Sequence, residues 1–392
     1  MIMKDAPSRS TSRDGDRHVG PSHERPIVLV NHLSSPPGQV TGITRYAFGL
    51  IGALIRRSDI RLVLVTSWPK DELPSAISAG VEAVVTLPFI RPLPLDNIRQ
   101  RWAIRRAALE HNVDVIYSMS PTCPPIRNIP SVVTAHDFYL EVFPNLYKRR
   151  HRLWWKVFFS DAARRADVVA CNSASTASDA VKLHSWLRGK THVVAGASVL
   201  PRGNGALPAY LAGPPYVLLL GNAAPNKNIG FLVAALRMLT REGRAVRALH
   251  VGRDPTGDLA KALSGDGATL LRSLGSVEDS VLDAVLRNAT ALVQPSKYEG
   301  FGLPIIEAQE RGVPVIASDI PVFREVAGEG CVLVPLNDVC QLADALHTVT
   351  TDPSLRAHLS ARASENSVRF TWDKSAEAAV VMIYQILRSG TD

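Results

Sequence analysis

SKYEGFGLPIIEAQERGVPVIASD, Ser296 to Asp319, sets two glutamates, Glu299 and Glu307, around a turn bracketed by Gly300 and Gly302. The apolar run TALVQPS (Thr290–Ser296) leads in as a strand, Pro304 suits the first turn of a helix, and VPVIASD (Val313–Asp319) resumes the apolar pattern. The unit reads strand, glycine loop, helix, strand. Its glycines let a ligand approach the backbone, and the amides of Phe301, Gly302 and Leu303 can face an anion beside a positive helix terminus. That combination suits a phosphate. Glu299 before the turn and Glu307 in the first helical turn are acceptors for paired hydroxyls, so a diphosphate with a sugar on each side fits both carboxylates.

The same rhythm runs outward through the chain. PIVLVN (Pro26–Asn31), RLVLVTS (Arg61–Ser67), VDVIYSM (Val113–Met119), SVVTAHD (Ser131–Asp137) and DVVACNS (Asp167–Ser173) have the near-continuous apolar character of strands buried on both faces of a parallel sheet. A second series comprises YVLLLGN (Tyr216–Asn222), RALHVG (Arg247–Gly252), TALVQPS, VPVIASD and CVLVP (Cys331–Pro335). Between the series, PRGNGALPAYLAGPP (Pro201–Pro215) reads as a linker. The expected fold class is α/β, with two Rossmann-like parallel-sheet domains, residues 25–200 and 216–370, facing a central cleft that holds the ligand at the strands' carboxyl ends. Residues 1–24 are expected to be a disordered polar lead and residues 371–392 a closing helix.

Composition narrows the partners. At 392 residues the chain is too long for one ordinary core, and no apolar run approaches the roughly 18 residues of a membrane span. Without an apolar leader segment the expected location is the cytoplasm. Cys123, Cys171, Cys331 and Cys340 show no C-x-x-C spacing, which argues against a structural zinc site or a disulfide framework. The one D-x-D, Asp14 to Asp16, lies in the polar lead, so no metal is expected. The net charge of +8 concentrates in the first half, notably in NIRQRWAIRRAALEHN (Asn97–Asn112) and YKRRHRLWWKVFF (Tyr147–Phe159). On a helix, Arg149, Arg152 and Lys156 share one stripe and Leu153, Trp154, Val157 and Phe158 an apolar one. Such a helix either lies on an anionic lipid surface or shows a solvated basic face over a core-facing stripe. No nucleic-acid partner is expected.

YEGFGLPIIEAQERGVPVIASDIPVFREVAGEG resembles the E-x7-E region of the retaining nucleotide-sugar glycosyltransferases of family 4, which have the GT-B fold. GITRYAFGL (Gly42–Leu50) resembles the family's first glycine loop and helix. VVTAHDFYLEVFP (Val132–Pro144) is similar to its His-Asp segment, and GNAAPNKNI (Gly221–Ile229) to its phosphate loop. The resemblance covers roughly residues 26–370.

It implies that Glu299 binds donor-sugar hydroxyls near the reacting carbon and Glu307 the ribose. Phe301, Gly302 and Leu303 would hold sugar and diphosphate through their amides, Lys227 would offset charge on the leaving group, His136 would face the sugar, and Gly42 would bring a helix terminus to the diphosphate. Asn222 belongs to the same binding loop. It marks a departure, because family members often carry arginine at the position of Asn222 or Asn226; Arg253 or Arg45 would substitute. The resemblance also implies a closing helix that returns to the first domain, no metal cofactor, and transfer of a hexose from a nucleotide-diphosphate sugar to a growing glycan or lipid-linked acceptor. Mannose from GDP-mannose, in polysaccharide or lipopolysaccharide synthesis, is the expected case. Of two rival readings, a nicotinamide oxidoreductase lacks its G-x-G-x-x-G in NHLSSPPGQVTGITRY, and an inactive nucleotide-sugar-binding scaffold stays open.

Overall fold

A computed structural model describes residues 25–389 apart from 34, 90–92, 122–125, 127 and 266. The polar lead, its Asp14–Asp16 triplet and Cys123 lie outside these residues.

The apolar runs form two all-parallel sheets. The first contains β1 (Ile27–His32), β2 (Arg61–Thr66), β3 (Ala83–Thr86), β4 (Val115–Ser118), β5 (Ser131–Ala135), β6 (Val168–Cys171) and β7 (Thr191–Val193), in the order β3-β2-β1-β4-β5-β6-β7. The second contains β8 (Tyr216–Leu220), β9 (Arg247–Val251), β10 (Leu271–Ser273), β11 (Ala291–Gln294), β12 (Val315–Ser318) and β13 (Cys331–Val334), ordered β10-β9-β8-β11-β12-β13. Strand order reverses between β1 and β4 and again between β8 and β11. Each sheet therefore opens a crevice at its carboxyl edge. The central strands β1, β4, β8, β11 and β12 are buried throughout, because helices cover both faces. The edge strands β3 and β10 are short and partly exposed, and the sequence reading passed over them.

Linker and terminus tie the halves together. Residues 201–215 contain one short turn, Ala209–Leu211. Gly203 N donates to Asp283 Oδ2 (3.0 Å), and the buried Arg311 donates to the carbonyls of Leu200 (2.8 Å) and Pro201 (3.2 Å). The linker is thus clamped to the second domain. The last described helix, Trp372–Ser389, lies against the helix Gly42–Ile55, and its Ala376, Ala379, Met382 and Ile383 join the first domain's core. Gly49 is required there, since a Cβ would overlap the Trp372 indole. Trp372 Nε1 donates to Ser198 O at 2.8 Å.

Candidate active site

A cavity of about 770 Å³ lies between the carboxyl edges of the two sheets. All nine residues singled out from the sequence line it: Gly42, His136, Asn222, Lys227, Glu299, Phe301, Gly302, Leu303 and Glu307. Arg45, Asp137, Asn172, Arg253 and Asp279 line it as well.

The glycine loop after β11 owes its path to two close approaches. Gly302 has φ +100°, a conformation that side chains rarely adopt, and caps the helix Leu303–Gln309. Gly300 runs so close to the carbonyl oxygen of His136 that no Cβ would fit. Its own carbonyl accepts from Ser173 Oγ (2.6 Å) and Thr176 Oγ1 (2.9 Å) of the first domain. Tyr298 Oη accepts from Phe138 N (3.1 Å) and donates to Asp179 Oδ2 (3.2 Å). The loop is therefore held from across the cleft.

Charge is arranged in pairs. Lys227 Nζ meets Glu299 Oε1 at 2.6 Å, and Ser296 Oγ donates to the same oxygen at 2.7 Å. One oxygen of Glu299 is thus already engaged, and Lys227 is ion-paired. Arg45 spans the cleft to Asp279 with contacts of 2.5 and 3.2 Å. Arg253 has no side-chain partner among the described residues, and its backbone N donates to Asn222 Oδ1 at 2.9 Å. One face of the Asn222 amide is therefore engaged in holding the Arg253 backbone.

Glu307 is the fifth residue of its helix and sits just beyond the first turn, a correction to the sequence expectation. It is 5% exposed, and no group among the described residues donates a hydrogen bond to its carboxylate. Burial pushes its pKa up to about 7, against the pull of Arg45 and Arg311. His136 is buried, and burial holds its pKa below the usual value. Its Nε2 lies 2.9 Å from Met119 O, which can only accept, so Nε2 carries the proton and the ring has only Nδ1, an acceptor, left to offer. A donor role toward the sugar does not fit that tautomer. Burial raises the Asp137 carboxyl, while the Tyr139 amide, donating to Oδ1 at 2.9 Å, opposes the shift. Among the described residues no three His, Cys, Asp or Glu side chains group to hold a metal ion.

Sequence reasoning passed over Asn172 and Asp279. Asn172 directly follows β6, as His136 follows β5, and β5 and β6 pair with Ala135 opposite Cys171. A polar residue immediately after a buried strand was the available signal. Asp279 starts the helix Asp279–Arg287, and only the folded cleft brings it to Arg45.

Two facing Rossmann-like domains with a cavity between their carboxyl edges define the GT-B fold. Residues 40–197 match the family described as Glycosyltransferase Family 4, and residues 214–352 the one described as Glycosyl transferases group 1. A phosphatidyl-myo-inositol mannosyltransferase of Mycolicibacterium smegmatis is 30% identical over 348 residues, 82% of this chain and 84% of the relative. The O-antigen chain mannosyltransferase B of Escherichia coli is 27% identical over 375 residues, 89% of this chain and 97% of the relative. Among solved structures, sucrose-phosphate synthase from Thermosynechococcus elongatus shares the fold with a TM-score of 0.70 at 19% identity, covering 93% of this chain and 100% of that one. The chain belongs to the family-4 glycosyltransferases.

Proposed function

We propose that this protein transfers a hexose, mannose from GDP-mannose in the first instance, to a lipid-linked or glycan acceptor with retention of configuration and without a metal cofactor. The observation that carries the reading is the buried Glu307 carboxylate, without a hydrogen-bond donor among the described residues, on the same cavity as the Lys227–Glu299 pair. A ribose diol supplies the donors Glu307 lacks. The mannosyltransferase relatives favour mannose, and their glycolipid and O-antigen acceptors favour a cell-surface glycan.

The chemistry follows from where charge develops. Breaking the bond from the anomeric carbon to the diphosphate leaves an oxocarbenium-like sugar and moves negative charge onto the departing oxygen. Preorganised cations and amides there stabilise the transition state more than the ground state. Lys227, oriented by Glu299, which Ser296 holds in turn, is suited to that task, with the loop amides beside it. Arg253, without a carboxylate partner, supplies the second charge that Asn222 does not, whereas Arg45 is engaged by Asp279. Attack from the face the leaving group vacates lets the phosphate take the acceptor's proton, so neither glutamate need act as nucleophile.

The helix Arg149–Arg165 suits the acceptor side. Trp155, Phe159, Ala162 and Ala163 face the core, while Leu153 (64% exposed) and Val157 (52%) face outward among Arg149, Arg150 and Lys156. The outward apolar residues belong to no core, which favours contact with anionic lipid at the inner membrane face over a purely solvated surface. Among the described residues no helix is long and apolar enough to cross a membrane.

Thermal shift against GDP, UDP, GDP-mannose and UDP-glucose, with Mg²⁺ and with chelator, tests the reading. A ligand at about 100 times its dissociation constant stabilises by roughly 2.7 kcal/mol. Stabilisation by guanine nucleotides that persists in chelator supports it, and Lys227→Ala should then lower turnover roughly a hundred- to thousandfold. Nucleotide-sugar binding without transfer or hydrolysis would favour the scaffold alternative, and no stabilisation by any nucleotide would remove the reading.

A further inference from the structure

Asn172, like Glu307, is a buried polar residue of the cavity wall that the described residues leave short of a hydrogen-bond partner. It is 7% exposed and lines the cavity, and its Oδ1 is buried with no hydrogen-bond partner among the described residues. Its neighbours are all committed. His136, beside it on the adjacent strand, bonds Met119 O; Ser173 and Thr176 donate to Gly300 O; Asp137 accepts from the Tyr139 amide. Buried carboxamides are normally paired, and an unpaired one is expensive in a low-dielectric site. A protein that places such a group on a ligand cavity leaves the pairing to the ligand.

Resting on the function proposed above, we infer that Asn172 is a specificity-determining residue that hydrogen-bonds a hydroxyl of a substrate sugar. A carboxamide both donates and accepts, which matches a hydroxyl and not a phosphate, since phosphate oxygens offer acceptors alone. Its position agrees. Asn172 stands on the first-domain wall beside His136 and Asp137, in the cavity that Lys227, Arg253 and the glycine loop line from the second domain. The nucleotide's charged part belongs to those second-domain groups, and the neutral hydroxylated part faces Asn172. The hydroxyl comes either from the transferred hexose or from the acceptor.

Asn172→Leu and Asn172→Ser, each compared with wild type, decide it through four measurements: melting temperature, affinity for GDP, affinity for GDP-mannose, and rates of GDP-mannose hydrolysis and of transfer to methyl α-mannoside or phosphatidylinositol vesicles. Wild type must bind GDP and GDP-mannose; if it does not, the functional reading itself has failed and takes this inference with it. Given that binding, we expect both variants to fold and to keep wild-type GDP affinity. If the partner is the transferred hexose, Asn172→Leu weakens GDP-mannose about tenfold and slows hydrolysis and transfer alike. If it is the acceptor, GDP-mannose affinity and hydrolysis are unchanged and transfer alone falls about tenfold. Asn172→Ser, which keeps a hydroxyl, falls between and carries the measurement if the leucine variant does not fold. Unchanged affinities and rates overturn the inference. So does a parallel fall in GDP and GDP-mannose affinity with a lowered melting temperature, because that marks a structural role.

Discussion

Glu307 is held in an uncharged-leaning state by its surroundings: the fold buries it, and the nearby Asp279 and Glu310 add to the upward shift that Arg45 and Arg311 oppose. With a folded pKa of about 7 against an ordinary 4.5, the carboxyl contributes stability that is complete below the ordinary value and is lost as pH rises through about 7. Hydroxyl donors favour the ionised form, so a bound diol reverses that loss. GDP-mannose, whose diphosphate diester does not titrate near neutrality, should therefore bind more tightly at about pH 8 than at about pH 6. Calorimetry across that range checks it. Glu307→Gln should flatten the profile and weaken binding roughly tenfold or more, and a wild-type affinity flat with pH would remove the carboxylate from ribose binding. The residue types of this site were legible because each chemistry needs a particular side chain next to a glycine turn. What could not be read was occupancy: that Lys227 already holds Glu299, that the His136 proton is committed to Met119, and that Asn172 is left unpaired all depend on groups far away in sequence.

The helix Arg149–Arg165 shows the same division at the level of an element. Periodicity located it, and the basic and apolar stripes were plain. Which stripe meets the core was not, because Trp154, Trp155, Phe158 and Phe159 make two adjacent faces equally apolar. Packing against Phe138 and His184 selects Trp155 and Phe159 as the inward pair, with Trp155 Nε1 donating to Glu141 at 2.6 Å. Leu153 and Val157 are thereby turned out. The double variant Leu153→Glu, Val157→Glu should lose cosedimentation with phosphatidylglycerol vesicles at low salt while its stability stays within about 0.5 kcal/mol of wild type, as expected for exposed positions. Undiminished vesicle binding would assign the helix to solvent. Strands β3 and β10 lie at the other limit. Partly exposed edge strands of three or four residues are too short to stand out, and they pair with the open edges of β2 and β9.

At the scale of the whole molecule, the two domains meet through the donor loop itself. Gly300 touches the His136 carbonyl, its own carbonyl is held by Ser173 and Thr176, Tyr298 stacks near Tyr139, and Arg45 reaches Asp279. The contacts that hold the cleft together are thus the ones that shape the loop. Gly300→Ala should leave each domain folded, yet keep the cleft from closing, because the new methyl collides with backbone that cannot rotate away. Transfer should fall roughly tenfold or more, with an increased radius of gyration in solution scattering. Full activity in that variant would mean the working enzyme closes differently. By itself the sequence determined the two parallel α/β domains and the family, because strand burial, turn chemistry and glycine requirements are local and leave periodic marks. Only the tertiary structure decided which charges neutralise one another, which face of the basic helix is free, and which buried amide still lacks a partner. Those outcomes are set by contacts between separate elements of the chain, such as Trp155 with Glu141, Arg45 with Asp279 and Ser173 with Gly300, and no local pattern encodes them.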